Sequence, residues 1–382
     1  MIGRPILGIA ALLAFACTHV TAQTVDDRWI TERVVAGKFD ELRKVKGESD
    51  KGSPVAMYWW GAFLDACVLD RCDPPGARAL WMKSATAGNS RARLALMAGV
   101  RSIRELDDLM VKTGAPATPE EKLGYAAMLV ALSSIEDSSA WDKARAILKE
   151  LAASEPRMHV IFAIGALEGY GRYPDELRAM VEAGFSPASE QLRRWMLISQ
   201  RGHYPELLAQ ARSGDLVVGV ALCETVGLSE GYEVLPPELL PICERGMAAG
   251  YPGITPVLLR HHRARGNMKA AAFYAGLCAT LPVWCASDLA DFHYDRSGKS
   301  PAWEVWDIIA AMSLGLTPSE AGKPAAVMRQ VFSITVRNTL AERACCARRF
   351  NASSKKFDDD PACPWRKPVA IPAEFLQGAG SK

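Results

Sequence analysis

The sequence predicts an all-α fold of helical hairpins stacked in a row, and three observations carry that expectation. Apolar residues recur at a helical period along the chain, as in Asp73 to Leu96, where Ala77, Leu80, Trp81, Ser84 and Ala85 share one face. Stretches of alternating polarity, the mark of half-buried strands, are almost absent. Glycines close helix after helix on a common spacing. Gly88, Gly184 and Gly250 lie 96 and 66 residues apart, and Gly171, Gly202 and Gly266 lie 31 and 64 apart, multiples of a period of about 33. A short hairpin buries its apolar face only against a neighbour, so one such unit implies others.

Residues 1–22 read as a secretory signal outside the fold. Arg4 precedes the apolar run Ile6 to Cys17, and Val20 and Ala22 stand at the −3 and −1 positions of a cut before Gln23. A lipoprotein site at Cys17 is the alternative, weakened by Ala14 where Leu is usual. The run is short of the roughly 20 apolar residues a bilayer needs, and no later segment supplies them, so no transmembrane span is expected. The expected location is periplasmic or secreted.

From Gln23 to Gly52 one amphipathic segment carries Val34, Val35, Phe39 and Leu42 and is expected to cap the N-terminus. Helices are then expected at about 53–66, 74–87, 90–99, 102–112, 118–133, 138–153, 156–169, 174–183, 187–201, 204–213, 216–228, 236–249, 253–265, 268–280, 284–294, 301–314 and 318–349. Thr118-Pro119-Glu120-Glu121, Ser186-Pro187 and Thr317-Pro318-Ser319-Glu320 place a capping side chain or a proline where the first N–H groups of a helix lack partners. The expected organisation is one elongated domain over 23–350, about eight hairpins with terminal caps. Thr317 to Arg349 can cap the last hairpin. Residues 351–382, rich in Lys, Asp, Pro, Gly and Ser, form a polar and partly disordered tail.

Charge narrows the function. Without Arg4, the 45 Lys and Arg become 44 against 43 Asp and Glu. Such a balance lacks the basic face that nucleic-acid binding needs.

Asp73-x3-Ala77-x2-Leu80-Trp81-x-Lys83-Ser84-Ala85-x2-Gly88-x-Ser90-x-Ala92 resembles the second helix and following turn of a Sel1-like repeat, a relative of the tetratricopeptide repeat. Ala56-x3-Trp60-Gly61 resembles that repeat's first helix. The likeness is good over 53–96, recognisable over 245–280 and degenerate between them. The resemblance implies a right-handed α/α solenoid with a concave face that binds proteins, and it implies no catalytic residue set.

Nine cysteines follow Cys17: Cys67, Cys72, Cys223, Cys243, Cys278, Cys285, Cys345, Cys346 and Cys363. In an exported chain these are first of all disulfide partners. Cys67 and Cys72 flank a turn, Cys278 and Cys285 flank another, and Cys223 and Cys243 sit on successive helices. Cys363 is expected to reach back to Cys345 or Cys346, leaving one thiol over. The resemblance to cysteine-rich exported Sel1-like proteins points the same way. No paired C-x2-C spacing suggests zinc.

Candidate chemistry is sparse, and no metal, cofactor or catalytic residue is assigned. His261 and His262 are adjacent, so on a helix they point about 100° apart and cannot face one metal as an i, i+4 pair would. His293, near Asp291, Tyr294 and Asp295, reads as a helix-end histidine, and His203 merely replaces Arg172 in a recurring turn. Ser353-x2-Lys356 copies a nucleophile motif but lies in the polar tail, where nothing would desolvate the lysine. Gly298-Lys299-Ser300 lacks the upstream glycine of a phosphate loop. Asp358 to Asp360 reads as a solvated acidic run.

Aromatic residues exceed what one helix face can bury: Tyr58, Trp59, Trp60 and Trp81 early, Trp284, Trp303 and Trp306 late. Neighbouring Trp59 and Trp60 cannot both point inward. One of them is therefore the preferred partner contact, with Arg78 and Arg93 as polar companions, while Trp81 holds the hairpin together. The function expected is binding of a protein or peptide in the cell envelope or outside the cell. The alternative is a secreted hydrolase acting on cell wall or antibiotic, for which no base and nucleophile stand out.

Overall fold

A computed structural model of the 382-residue chain describes residues 25–68, 72–133, 138–154, 157–168, 174–199, 204–226, 234–280, 324–346, 348–351, 353–358, 366 and 368–376. Among these the protein is helical almost throughout, with one two-stranded ribbon. It divides into two compact units, Met1–Leu167 with Lys323–Ala347, and Glu168–Gly322 with Arg348–Lys382.

The first unit opens with α1 (Val25–Val35) and α2 (Arg43–Asp50), joined by the 3-10 turn Phe39–Leu42. The single N-terminal segment expected is therefore two helices, because Gly37, at φ 70°, ends the first. Then come α3 (Pro54–Asp65), α4 (Pro74–Thr86), α5 (Ser90–Ala98), α6 (Ile103–Thr113), α7 (Pro119–Leu132), α8 (Ser138–Ser154) and α9 (Met158–Glu168). Consecutive helices pack as hairpins, α3 on α4 and α7 on α8 most extensively. Capping chemistry sets the starts. Ser53, Asp73, Ser102 and Thr118 each accept a hydrogen bond from a backbone N–H in the first turn, and Thr118 with Glu121 completes a capping box.

Helix α17 (Pro324–Cys346) belongs to this unit and packs on α1. Its Arg329 Nε donates to the Val68 carbonyl at 2.9 Å, Ser333 Oγ donates to the Val35 carbonyl at 3.2 Å, and Phe332 meets Phe63 edge-on at 5.8 Å. The expected helix over 318–349 is thus present from Pro324 to Cys346, and it lies on the first helices of the chain, where Phe63 offers a fully buried aromatic to pack against.

The second unit contains α10 (Pro174–Glu182), α11 (Pro187–Ser199), α12 (Tyr204–Arg212), α13 (Leu216–Val226), α14 (Leu240–Ala248), α15 (Thr255–Ala264) and α16 (Met268–Thr280). The fully apolar face of α13 is buried against α11, α12 and α14, with Val218, Val220, Ala221 and Leu222 each at most 1% exposed. Strands β1 (Phe350–Asn351) and β2 (Lys356–Phe357) pair antiparallel in what the sequence reading assigns to a polar tail. Phe350 and Phe357 face each other across the pair at 5.2 Å, and this cross-strand contact is what the composition of the segment conceals.

One cap recurs in both units. Gly88, Gly184, Gly214, Gly250 and Gly266 all have φ between 72° and 111°. In each case the residue after the glycine donates its N–H to a carbonyl five positions back, as Asn89 does to Ser84 and Tyr251 to Gly246. The two glycine series distinguished in the sequence share this geometry at Gly266 and Gly250 alike, since both must enter the left-handed region. Gly202 and Gly171 lie outside the described residues.

Candidate functional site

Helices α3, α4 and α5 carry the predicted binding residues: Trp59 and Trp60 on α3, Arg78 on α4 and Arg93 on α5. Trp59 is 4% exposed, and its Nε1 donates to Asp27 Oδ1 at 2.8 Å. Arg91 Nη1 reaches the same oxygen at 2.6 Å, which ties α1, α3 and α5 together at one carboxylate. Trp60, one residue on, is half-buried with its ring edge-on to Phe63 at 6.3 Å. Trp81 Nε1 donates to the Tyr58 carbonyl at 3.0 Å and is admitted by Gly61, where a Cβ would stand 2.6 Å from that nitrogen. Ser84 Oγ and Asn89 Nδ2 both donate to the Pro54 carbonyl, at 2.6 and 3.2 Å, closing the far end.

The two arginines part company. Arg78 is exposed on α4. Arg93, expected on a polar side, is 7% exposed, with Nη1 on Glu121 Oε1 at 2.7 Å and Nη2 on the Thr113 carbonyl at 2.7 Å. A guanidinium there satisfies a buried carboxylate and a helix-end carbonyl, so it is an interior strut and cannot meet a partner. Of Trp59, Trp60, Arg78 and Arg93, only Trp60 and Arg78 keep exposed surface.

Disulfides staple both units. Cys67 and Cys72 are bonded beside the end of α3, with Cα atoms 4.4 Å apart, and Cys223 and Cys243 join α13 to α14 at 5.6 Å. Cys278 and Cys345 are also disulfide-bonded. Cys285 and Cys363, and the side chain of Cys346, lie outside the described residues.

Two buried polar clusters lie in the second unit, one around Glu224, which no sequence motif singles out, and one around the adjacent pair His261 and His262. Glu224, on α13, is 3% exposed and accepts from the hydroxyls of Ser186, at 3.0 Å, and Ser189. Burial pushes its carboxyl up to about 7 against the pull of both hydroxyls. The signal was present: Glu224 is the one acidic residue in the apolar run LVVGVALCETV. The second cluster is the histidine pair. His262 is wholly buried and stacks on the Tyr274 ring at 5.4 Å. His261 Nδ1 accepts the Leu235 N–H at 3.0 Å. Among the described residues, His262 Nδ1 and Nε2, His261 Nε2 and the Tyr274 hydroxyl find no hydrogen-bond partner. Burial, then the neighbouring His261, lowers His262 to about 4, so His262 is neutral at pH 7; burial, then Arg265, lowers His261 as well. Helical packing of α15 on α16, invisible in the local spacing, assembles this cluster.

No group of three His, Cys, Asp or Glu side chains suited to a metal occurs among the described residues. Ser353 and Lys356 sit exposed around the β1–β2 turn, where the Ser353 and Ser354 N–H groups donate to Asn351 Oδ1. His203, His293, Lys299, Asp359, Asp360, Trp284, Trp303 and Trp306 lie outside the described residues. No described helix is long and apolar enough to cross a membrane. No family model, curated protein or solved structure matches this chain.

Proposed function

We propose that this protein is an exported, disulfide-stapled protein of helical hairpins resembling Sel1-like repeats, and that it binds a protein or peptide partner through the α3–α4 hairpin. The observation that carries the reading is the division of labour between Trp59 and Trp60. Trp59 is spent inside on Asp27, while Trp60 keeps exposed surface on a helix held rigid by Trp81, Ser84 and the Cys67–Cys72 bond. A rigid, partly exposed tryptophan is well suited to anchor a protein contact, because it loses little conformational freedom on binding. Disulfides within both units favour an oxidising compartment.

The test is capture of partners from envelope extract by the wild-type chain and by Trp60→Ala. A stoichiometric protein that the variant holds at least tenfold more weakly, with its unfolding midpoint unchanged, is the result expected. Equal capture by both proteins removes the hairpin as the contact.

A further inference from the structure

The described part of the tail lies across the second unit as a strap, irregular over 368–372 and closing in the 3-10 turn Ala373–Phe375. Arg366 Nη1 donates to the Glu182 carbonyl at 3.1 Å and Nη2 to the Ala249 carbonyl at 3.4 Å, at the C-terminal ends of α10 and α14. Helix-end carbonyls lack intrahelical partners and carry partial negative charge, so a guanidinium is well suited to both. The same guanidinium lies over the Tyr251 ring, 4.4 Å from its centroid. Three residues on, the Val369 N–H donates to the Ala248 carbonyl at 3.3 Å. Further along, Phe375 packs on Phe273 of α16 at 5.4 Å.

These contacts are of the kind an extended peptide makes with a receptor. A backbone N–H sets the register, a cation sits between acceptors and an aromatic side chain sets the far end. Pro368 and Pro372 lack N–H groups and hold φ near −65°, which keeps the stretch between them extended, and Pro372 leads into the 3-10 turn that carries Phe375. None of the described residues of 366–376 is buried, so the strap adds nothing to the unit's core and its attachment is local.

We infer that the surface formed by the carbonyl ends of α10 and α14, Tyr251 and Phe273 is a peptide-binding groove that the chain's own tail holds closed. The occupant it fits is an extended segment of another polypeptide with the tail's pattern: an arginine, an apolar residue three positions on and an aromatic nine positions on. Such a segment competes with the tail, and its apparent affinity falls by the fraction of molecules whose groove is open. This groove is independent of the α3–α4 hairpin, and neither proposal depends on the other.

The test uses the full chain and a fluorescein-labelled peptide, RKPVAIPAEFL, which copies residues 366–376. Fluorescence anisotropy should show Arg366→Ala/Phe375→Ala binding the peptide at least tenfold more tightly than the wild-type chain, since the weakened tail no longer competes. Replacing the peptide's arginine by alanine should abolish the gain. A variant with a native circular dichroism spectrum that binds no more tightly than wild type overturns the inference. Hydrogen exchange on the wild-type chain gives a second reading that needs no variant. The Val369 amide should exchange at least a hundredfold faster than amides in the middle of α14, and exchange at the same rate overturns the inference as well.

Discussion

Glu224 and His262 make opposite demands on protons within one unit, and the pH dependence of its stability follows from that opposition. Folding raises Glu224 from 4.5 to about 7, so the folded unit holds this proton more tightly than the unfolded chain does. Its contribution is greatest below pH 4.5 and is lost as pH rises to about 7. Folding lowers His262 from 6.5 to about 4, so the folded unit refuses a proton that the unfolded chain accepts. That contribution is greatest above pH 6.5 and is lost as pH falls to about 4. Each gap is about 2.5 pH units, and at about 1.4 kcal/mol per unit each is worth on the order of 3 kcal/mol. Both side chains are fully enclosed, with Ser186 and Ser189 on Glu224, and His261 and Tyr274 on His262, so solvent screens neither. Between pH 4.5 and 6.5 the two slopes cancel. Relative to wild type, Glu224→Gln should therefore lose stability on acidification through this window, by about 3 kcal/mol, because the histidine now acts alone. His262→Phe, which keeps the stack on Tyr274, should gain by a similar amount over the same window. Urea unfolding at half-unit pH steps, followed by circular dichroism, measures both differences. Variants whose stability runs parallel to wild type from pH 4.5 to 6.5 would refute the argument.

Three further outcomes are expected. Trp81→Ala removes an indole that fills the Gly61 notch and donates to Tyr58, and should lower the stability of the first unit by about 3 kcal/mol in urea titrations; a loss under 1 kcal/mol would contradict its locking role. Arg93→Met removes the cation from buried Glu121, leaving the Ala117 and Thr118 N–H groups as its donors among the described residues, and should cost about 3 kcal/mol. An exposed arginine would cost almost nothing, so the urea midpoint of this variant separates the two placements. Reducing Cys223–Cys243, which closes a loop of 20 residues, should lower stability by about 3 kcal/mol, and reducing Cys67–Cys72, with a separation of 5, by about 2 kcal/mol. Single Cys→Ser variants in urea check that ranking.

Much of the secondary structure was legible because its determinants are local. Pro54, Pro74, Pro119, Pro174 and Pro187 open helices in the described residues, within a position or two of the starts expected from the sequence. Gly88 and Gly250 end helices because only a residue tolerant of positive φ completes that cap. The disulfides Cys67–Cys72 and Cys223–Cys243 join cysteines that the sequence places on one short turn and on successive helices.

What the sequence by itself determined, then, is an all-α chain, the ends of its helices and two of its staples, each governed by residues a few positions apart. Only the tertiary structure decided which of Trp59 and Trp60 turns inward, since the choice rests on Asp27, 32 residues away. The same holds for Arg93, drawn inside by Glu121 from 28 residues off, and for α17, whose Ser333 reaches a carbonyl 298 residues earlier. Periodicity reports which face of a helix is apolar. It carries no information about the distant group that makes a buried charge or indole affordable, and that pairing is what separates surface from interior here.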